Sequence, residues 1–237
     1  MHEVVWMAGV QHSLATKNPV RWLMSGVLAS SKTLVGLTNK WPGRYPKVED
    51  IKSIFTAHLN MVNLIHYNTD NEMGALGDLV RLHELAGPHL HGFQLNMAWP
   101  ETRLLDDYRR AFGWEPRIVL QIGRRAMGEM NHDPREVSDR LEDYAGVVDD
   151  VLIDPSGGKG EPFNTESARM FLRAIAERGW DLGLGIAGGL DAQSIQLLEP
   201  LLEEFPGLSI DAESRLRNKP ADDLNLERAR LYFTEAT

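Results

Sequence analysis

Asp154 stands where a catalytic acid or base would be expected, closing the apolar run VLID directly before the glycine-rich stretch SGGKG at 156–160. A carboxyl at the end of an apolar strand is partly desolvated, which raises its pKa and suits it to proton transfer. The next apolar run, GLGIA, ends in a second glycine pair, Gly188 and Gly189. Glycine lets the backbone approach a ligand and turn its N–H groups inward. Ahead of a helix N-terminus such a loop makes an anion site, so Gly158, Gly160, Gly188 and Gly189 are expected to bind phosphate.

These groups need a scaffold that brings consecutive loops together. Eight short runs rich in Val, Ile and Leu recur, beginning at Glu3, Lys32, Met61, Gly92, Arg117, Asp149, Asp181 and Leu208. Their starts are spaced by about 25 to 32 residues, one strand–helix repeat each. Segments with helical apolar spacing lie between them, among them KVEDIKSIFTAHL, GALGDLVRLHELAG, TRLLDDYRRAFG, REVSDRLEDYAGV, ESARMFLRAIAERG and AQSIQLLEPLLEEF. Asp133-Pro134 and Asn164 or Thr165 supply helix starts. No GxGxxG follows the first run, AGVQHS. The expected fold is α/β, a single (β/α)8 TIM barrel domain over residues 1–237, with PVRWLM on its first helix.

In such a barrel chemistry sits at the C-terminal strand ends. The candidates there are Gln11 and His12, residues 38–44, Tyr67 and Asn68, Asn96, Arg124 and Arg125, the stretch from Asp154, the glycine pair and residues 213–217. His66 and His12 are the available imidazole bases, since neutral imidazole titrates near working pH. Packing inside the barrel for His66 and an ordinary loop place for His12 are the competing assignments. Arg215 or Arg217 could clamp a phosphate, whereas Glu213 would repel one if it faced inward.

Composition narrows the classes. With 43% hydrophobic and 25% charged residues the chain is ordinary globular protein. A net charge of -9 argues against nucleic-acid binding, which needs a basic face. The absence of cysteine removes thiolate chemistry and fits the cytoplasm. The N-terminal run has no basic residues before it and is a poor signal peptide, and no run is long enough for a membrane span. His83, His89 and His91 lack HExxH spacing and precede the fourth strand, at the end where barrels rarely do chemistry. No metal and no cofactor is expected. Lys40 and Lys159 lie in loops, which argues against a Schiff-base aldolase. The partner expected is a small phosphorylated ligand, and a homodimer through the Trp- and Met-bearing segment at 19–24 is left open.

The stretches LIDPSGGKGEPFN and GIAGGLDAQSI resemble strands 6 and 7 of phosphoribosylanthranilate isomerase. GLTNKWPGRYPKVEDI is similar to that family's second strand and Arg-Tyr loop, FQLNM to its fourth strand, and SIDAESRLR to its last. The resemblance implies metal-free isomerisation of a phosphorylated aminoaldose. It puts Asp154 at the position of the general acid, Arg44 at the contact to the substrate carboxylate, and Ser214 with the glycines in the phosphate loops. Asn68, Asn96 and Arg124 complete the expected substrate-binding set. The family's general base, a cysteine ending strand 1, falls on Ala8, or on Val35 in a second alignment, and neither side chain accepts a proton. The expectation is therefore an isomerase-like enzyme acting on a phosphorylated sugar or sugar conjugate. The alternatives are a phosphosugar-binding or regulatory protein without the base, and the family's own reaction with a replacement base.

Overall fold

The computed structural model describes residues 5–11, 20–58, 60–69, 71–156 and 162–236. Seven strands run parallel and pair in chain order: β2 (Val20–Ser30), β3 (Met61–Asn68), β4 (Gly92–Asn96), β5 (Arg117–Gly123), β6 (Asp150–Asp154), β7 (Gly183–Ala187) and β8 (Ser209–Asp211). They form a curled, TIM-like α/β sheet. The remaining strand, β1 (Val5–Gln11), closes the ring by pairing antiparallel with both β2 and β8.

This corrects the eight-fold (β/α)8 expectation. Only residues 12–19 join β1 to β2, too few for the roughly dozen that a parallel crossover requires, so the two strands must run in opposite directions. Gln11 pairs with Val20, at the start of β2, and thus lies at the end of the ring opposite to the one expected. Ala8, expected at the family's base position, is mid-strand against Leu23 and Ile210.

Two neighbouring segments exchange their expected roles. The run at 32–39, expected as a strand, begins as the short helix α1 (Ser31–Leu34), and Val20–Met24 of the expected first helix PVRWLM belong to β2. Val20–Ser30 is a nearly continuous apolar run buried on both faces in its second half, and such a run has no period that separates strand from helix. Ser30 ends it. Its hydroxyl accepts from the Thr33 backbone N–H while the Thr33 hydroxyl accepts from that of Ser30, a reciprocal cap that turns the chain into α1. Val35, the alternative base position, follows as an exposed residue.

The expected helix at 47–59 is reduced to a 3-10 turn and α2 (Ile51–Ile54). Helices α3 (Ala75–Ala86), α4 (Thr102–Phe112), α6 (Pro134–Leu141), α7 (Thr165–Ala176) and α8 (Glu199–Glu204) follow expected segments, α5 (Arg124–Glu129) arises in an expected loop, and α9 (Leu226–Ala236) follows β8. Asp133 accepts from Arg135 N at 2.7 Å and Asn164 from Ser167 N at 2.9 Å, so each caps its helix. Among the described residues no helix is long and apolar enough to cross a membrane.

Most of the core lies between strands and helices. Inside the ring a smaller apolar plug is made by Leu64, Val119, Leu152 and Ala187 with Met24 and Val62 packed on it. The plug divides the interior into a floor, at the N-terminal ends of the parallel strands, and a mouth at their C-terminal ends.

Candidate functional site

Side chains alternate along a strand, so the residues two positions beyond the plug also point inward. Beyond Leu64, Val119 and Leu152 these are His66, Gln121 and Asp154, joined in the same layer by Gln94 and Asp211. All five are buried. Polar side chains at this depth need partners, and they find them in one another. Gln94 Nε2 donates to Gln121 Oε1 at 3.0 Å, and Gln121 Nε2 donates to Asp154 Oδ2 at 2.9 Å. The other oxygen of Asp154, Oδ1, accepts from Ser156 Oγ at 2.8 Å and from Ser156 N at 3.2 Å. Three hydrogen bonds thus converge on Asp154 and fix the orientation of its carboxyl.

Above this layer opens a cavity of about 310 Å³, of the size that takes a small molecule. His66, Asn68, Asn96, Arg124, Asp154 and Arg44 all line it, so expected site residues from β3, β4 and β6, from the start of α5 and from the segment before α2 come together there. Burial pushes the His66 imidazole below its ordinary value, against the opposing pull of Glu213, Asp154 and Gln121, and keeps the ring neutral near neutral pH. His12 lies outside the described residues.

A narrow niche adjoins the cavity, sharing His66, Gln121, Asp154 and Glu213 with it, and is closed by Gly188, Gly189, Ser214 and Arg215. Gly188 has φ +107°, and a Cβ there would come 3.1 Å from the Ser156 side chain and 3.3 Å from Asp154 Oδ1. Both the backbone angle and the close approach demand glycine at this position. Gly158 and Gly160 lie outside the described residues.

Two of the arginines expected to face a ligand, Arg44 and Arg215, are held by acidic partners. Arg44 forks onto Asp222, Nε to Oδ2 and Nη2 to Oδ1 both at 2.6 Å, and its Nη1 reaches Glu213 Oε1 at 2.8 Å. Burial alone would lower the Arg44 pKa, but Asp222 and Glu213 outweigh it and hold the guanidinium above its usual value. Its positive face lies 5.1 Å from the Trp41 ring, which also lines the cavity. Arg215 Nη1 binds Asp191 Oδ2 at 3.0 Å; burial would raise the Asp191 carboxyl, yet Arg215 and Ser194 hold it below the usual range. Glu213 does face inward, lining the niche, and its Oε1 pairs with Arg44 Nη1.

Two of the histidines outside the mouth are occupied. His83 Nδ1 is 2.7 Å from Tyr108 Oη with its ring stacked on Phe112, and His91 Nδ1 accepts from Asn63 N at 2.8 Å. Among the described residues no three His, Asp or Glu side chains form a metal-ligand set.

Gln94, Gln121 and Asp211 were not among the expected site residues. The signal was present: each is a single polar residue between apolar ones in a strand, FQL, LQI and SIDA, and a lone polar position in such a strand marks the inward row. Ser156 and Trp41 fell within candidate stretches without being singled out, and Tyr45 lies one residue past one of them. No family model matches the chain, and no curated protein matches it.

Proposed function

We propose that this protein is a phosphosugar isomerase-like enzyme of the cytoplasm that works by acid–base chemistry at the mouth of its parallel strands. One observation carries the reading: Asp154 stands at the junction of a cavity sized for a small molecule and a glycine-walled niche. A phosphate in the niche would meet the Gly188–Gly189 loop and Arg215. Its sugar would then extend past Asp154 toward Asn68, Asn96 and Arg124.

In an aldose-to-ketose conversion a protonated acid gives its proton to the ring oxygen as the ring opens, and a base removes the proton from C2. Asp154 takes the first part. His66, neutral and lining the same cavity, takes the second, in place of the base that neither Ala8 nor Val35 can supply. The resemblance to phosphoribosylanthranilate isomerase in the strand 6 and strand 7 loops supports a phosphorylated sugar or sugar conjugate as the ligand.

The test is a thermal-shift screen against phosphorylated sugars, followed by turnover assays of each stabiliser. Asp154→Asn is expected to lower turnover by roughly 10²- to 10⁴-fold while ligand still raises Tm. Binding without turnover in the unaltered protein would assign a binding or regulatory role. No shift with any phosphate compound, inorganic phosphate included, would end the phosphosugar reading.

A further inference from the structure

A second cavity, of about 280 Å³, lies beneath the apolar plug at the floor. Met24, Val62, Val119 and Leu152 of the plug line it, and Trp22 and Leu184 extend the apolar surface. Alternation from Ala187, a plug residue, makes Gly183 and Gly185 the inward positions below it on β7, and neither carries a side chain. A Cβ at Gly185 would come 2.9 Å from Leu152 Cδ1, and one at Gly183 would strike Asp150 Oδ1, so the β6 side chains lean across β7. That leaning leaves room beneath the plug. A dry apolar cavity of about 150 Å³ takes a benzene ring, so one or two fused rings fit in the floor cavity.

The polar groups on the lining define what such a ligand must carry. His91 Nδ1 accepts from Asn63 N at 2.8 Å, so the ring proton sits on Nε2 and His91 brings a donor to the cavity. Burial, then the neighbouring His89, hold the His91 pKa below its ordinary value, in keeping with a neutral ring. Asp150 and Glu115 bring acceptors, and Arg117 forks its Nε and Nη2 onto the two oxygens of Asp150. A hydroxyl both accepts and donates, which answers His91 and a carboxylate together. With two carboxylates against one guanidinium on the lining, a ligand carboxylate or phosphate would be repelled.

We propose that the floor cavity is a second binding site, for an uncharged aromatic alcohol of one or two rings. The rings lie against Trp22, Met24 and Val62, and the hydroxyl meets His91 and the Asp150–Arg117 pair. No described residue lines both this cavity and the mouth cavity or its niche, so the inference stands whichever molecule the mouth binds.

The probes are 2-naphthol and 2-naphthoate, which share a ring system and differ in charge at neutral pH. At about ten times its dissociation constant 2-naphthol is expected to raise Tm by about 3–5 °C, whereas 2-naphthoate at the same concentration leaves Tm unchanged. Ser209→Leu puts a larger side chain on the lining, away from every residue assigned to the mouth, and should remove the 2-naphthol response. Nuclear magnetic resonance of the unaltered protein decides the matter even if that variant fails to fold. Among the indole N–H signals of its 6 tryptophans, that of Trp22 should move with 2-naphthol and that of Trp41, in the mouth, should not, each assigned by its Phe variant. No rise in Tm with 2-naphthol, an equal rise with 2-naphthoate, an undiminished rise in Ser209→Leu, or a Trp22 signal that stays in place would each overturn the proposal.

Discussion

Asp150 at the floor and Asp211 at the mouth are inward carboxyls on parallel strands, yet their surroundings differ in kind. Asp150 receives the Arg117 guanidinium, Nη2 to Oδ1 at 2.7 Å, with Nε on the other oxygen. Burial pushes its carboxyl up, and Arg117 pulls it partly back. Next to it Asp149 accepts from Arg109 Nη2 at 2.7 Å and from Ile118 N. Asp211 has an amide neighbour and two like charges instead. The floor carboxyls therefore behave as ion-paired struts, whereas Asp211 at the mouth is flanked by like charges. Clustering of perturbed carboxyls in a cleft costs stability, and active sites are where that cost is commonly met.

If the floor is structural, its largest strut should matter most. Arg109 is buried and also donates to the carbonyls of Val147 and Pro116, so Arg109→Leu leaves Asp149 and both carbonyls without that donor. A loss of about 3 kcal/mol is expected from denaturant midpoints, with ligand-induced shifts in Tm retained. Loss of ligand response at full stability would erase the distinction between floor and mouth.

Gly188→Ala tests the mouth in the opposite sense. The substitution strains a left-handed backbone and presses a methyl group on Ser156 and Asp154, for an expected loss of about 1–2 kcal/mol. Its stability cost should be smaller than that of Arg109→Leu, and its loss of phosphate-compound binding larger. A variant that binds as well as the unaltered protein would remove the niche from the site.

The smallest effect concerns His66. Its folded pKa lies below its unfolded value of 6.5, so its contribution to stability is present above that value and is lost as pH falls below it and the unfolded chain takes up the proton. His66→Gln should flatten this acid limb of the Tm curve without changing its alkaline part. An unchanged acid limb would mean that folding does not shift the His66 pKa, and burial in the mouth would no longer set this group apart from the ion-paired floor.

Much of the site was legible without coordinates. Asp154 and the pair Gly188–Gly189 announce themselves because a charged residue ending an apolar run, and a glycine pair ending the next, are local patterns with local causes. Six of the parallel strands, β3 to β8, were readable for the same reason. The run at 20–30 was misread because apolar burial on both faces erases the period, and 32–39 because a short capped helix can resemble the start of a strand.

What the residues alone determined is the inventory: repeated strand–helix units, an acid before a glycine loop, and no cysteine to act as a base. The tertiary structure decided the rest, because it depends on partners distant in the chain. The direction of β1 is set by how few residues separate it from β2 and by the open edge of β8 more than two hundred positions away. Arg44 was legible as a cation, but its capture by Asp222 and Glu213 exists only once the ring brings residues 44, 213 and 222 together. The same is true of the amide chain from Gln94 through Gln121 to Asp154. Each link is an ordinary polar side chain until three neighbouring strands turn them into one layer.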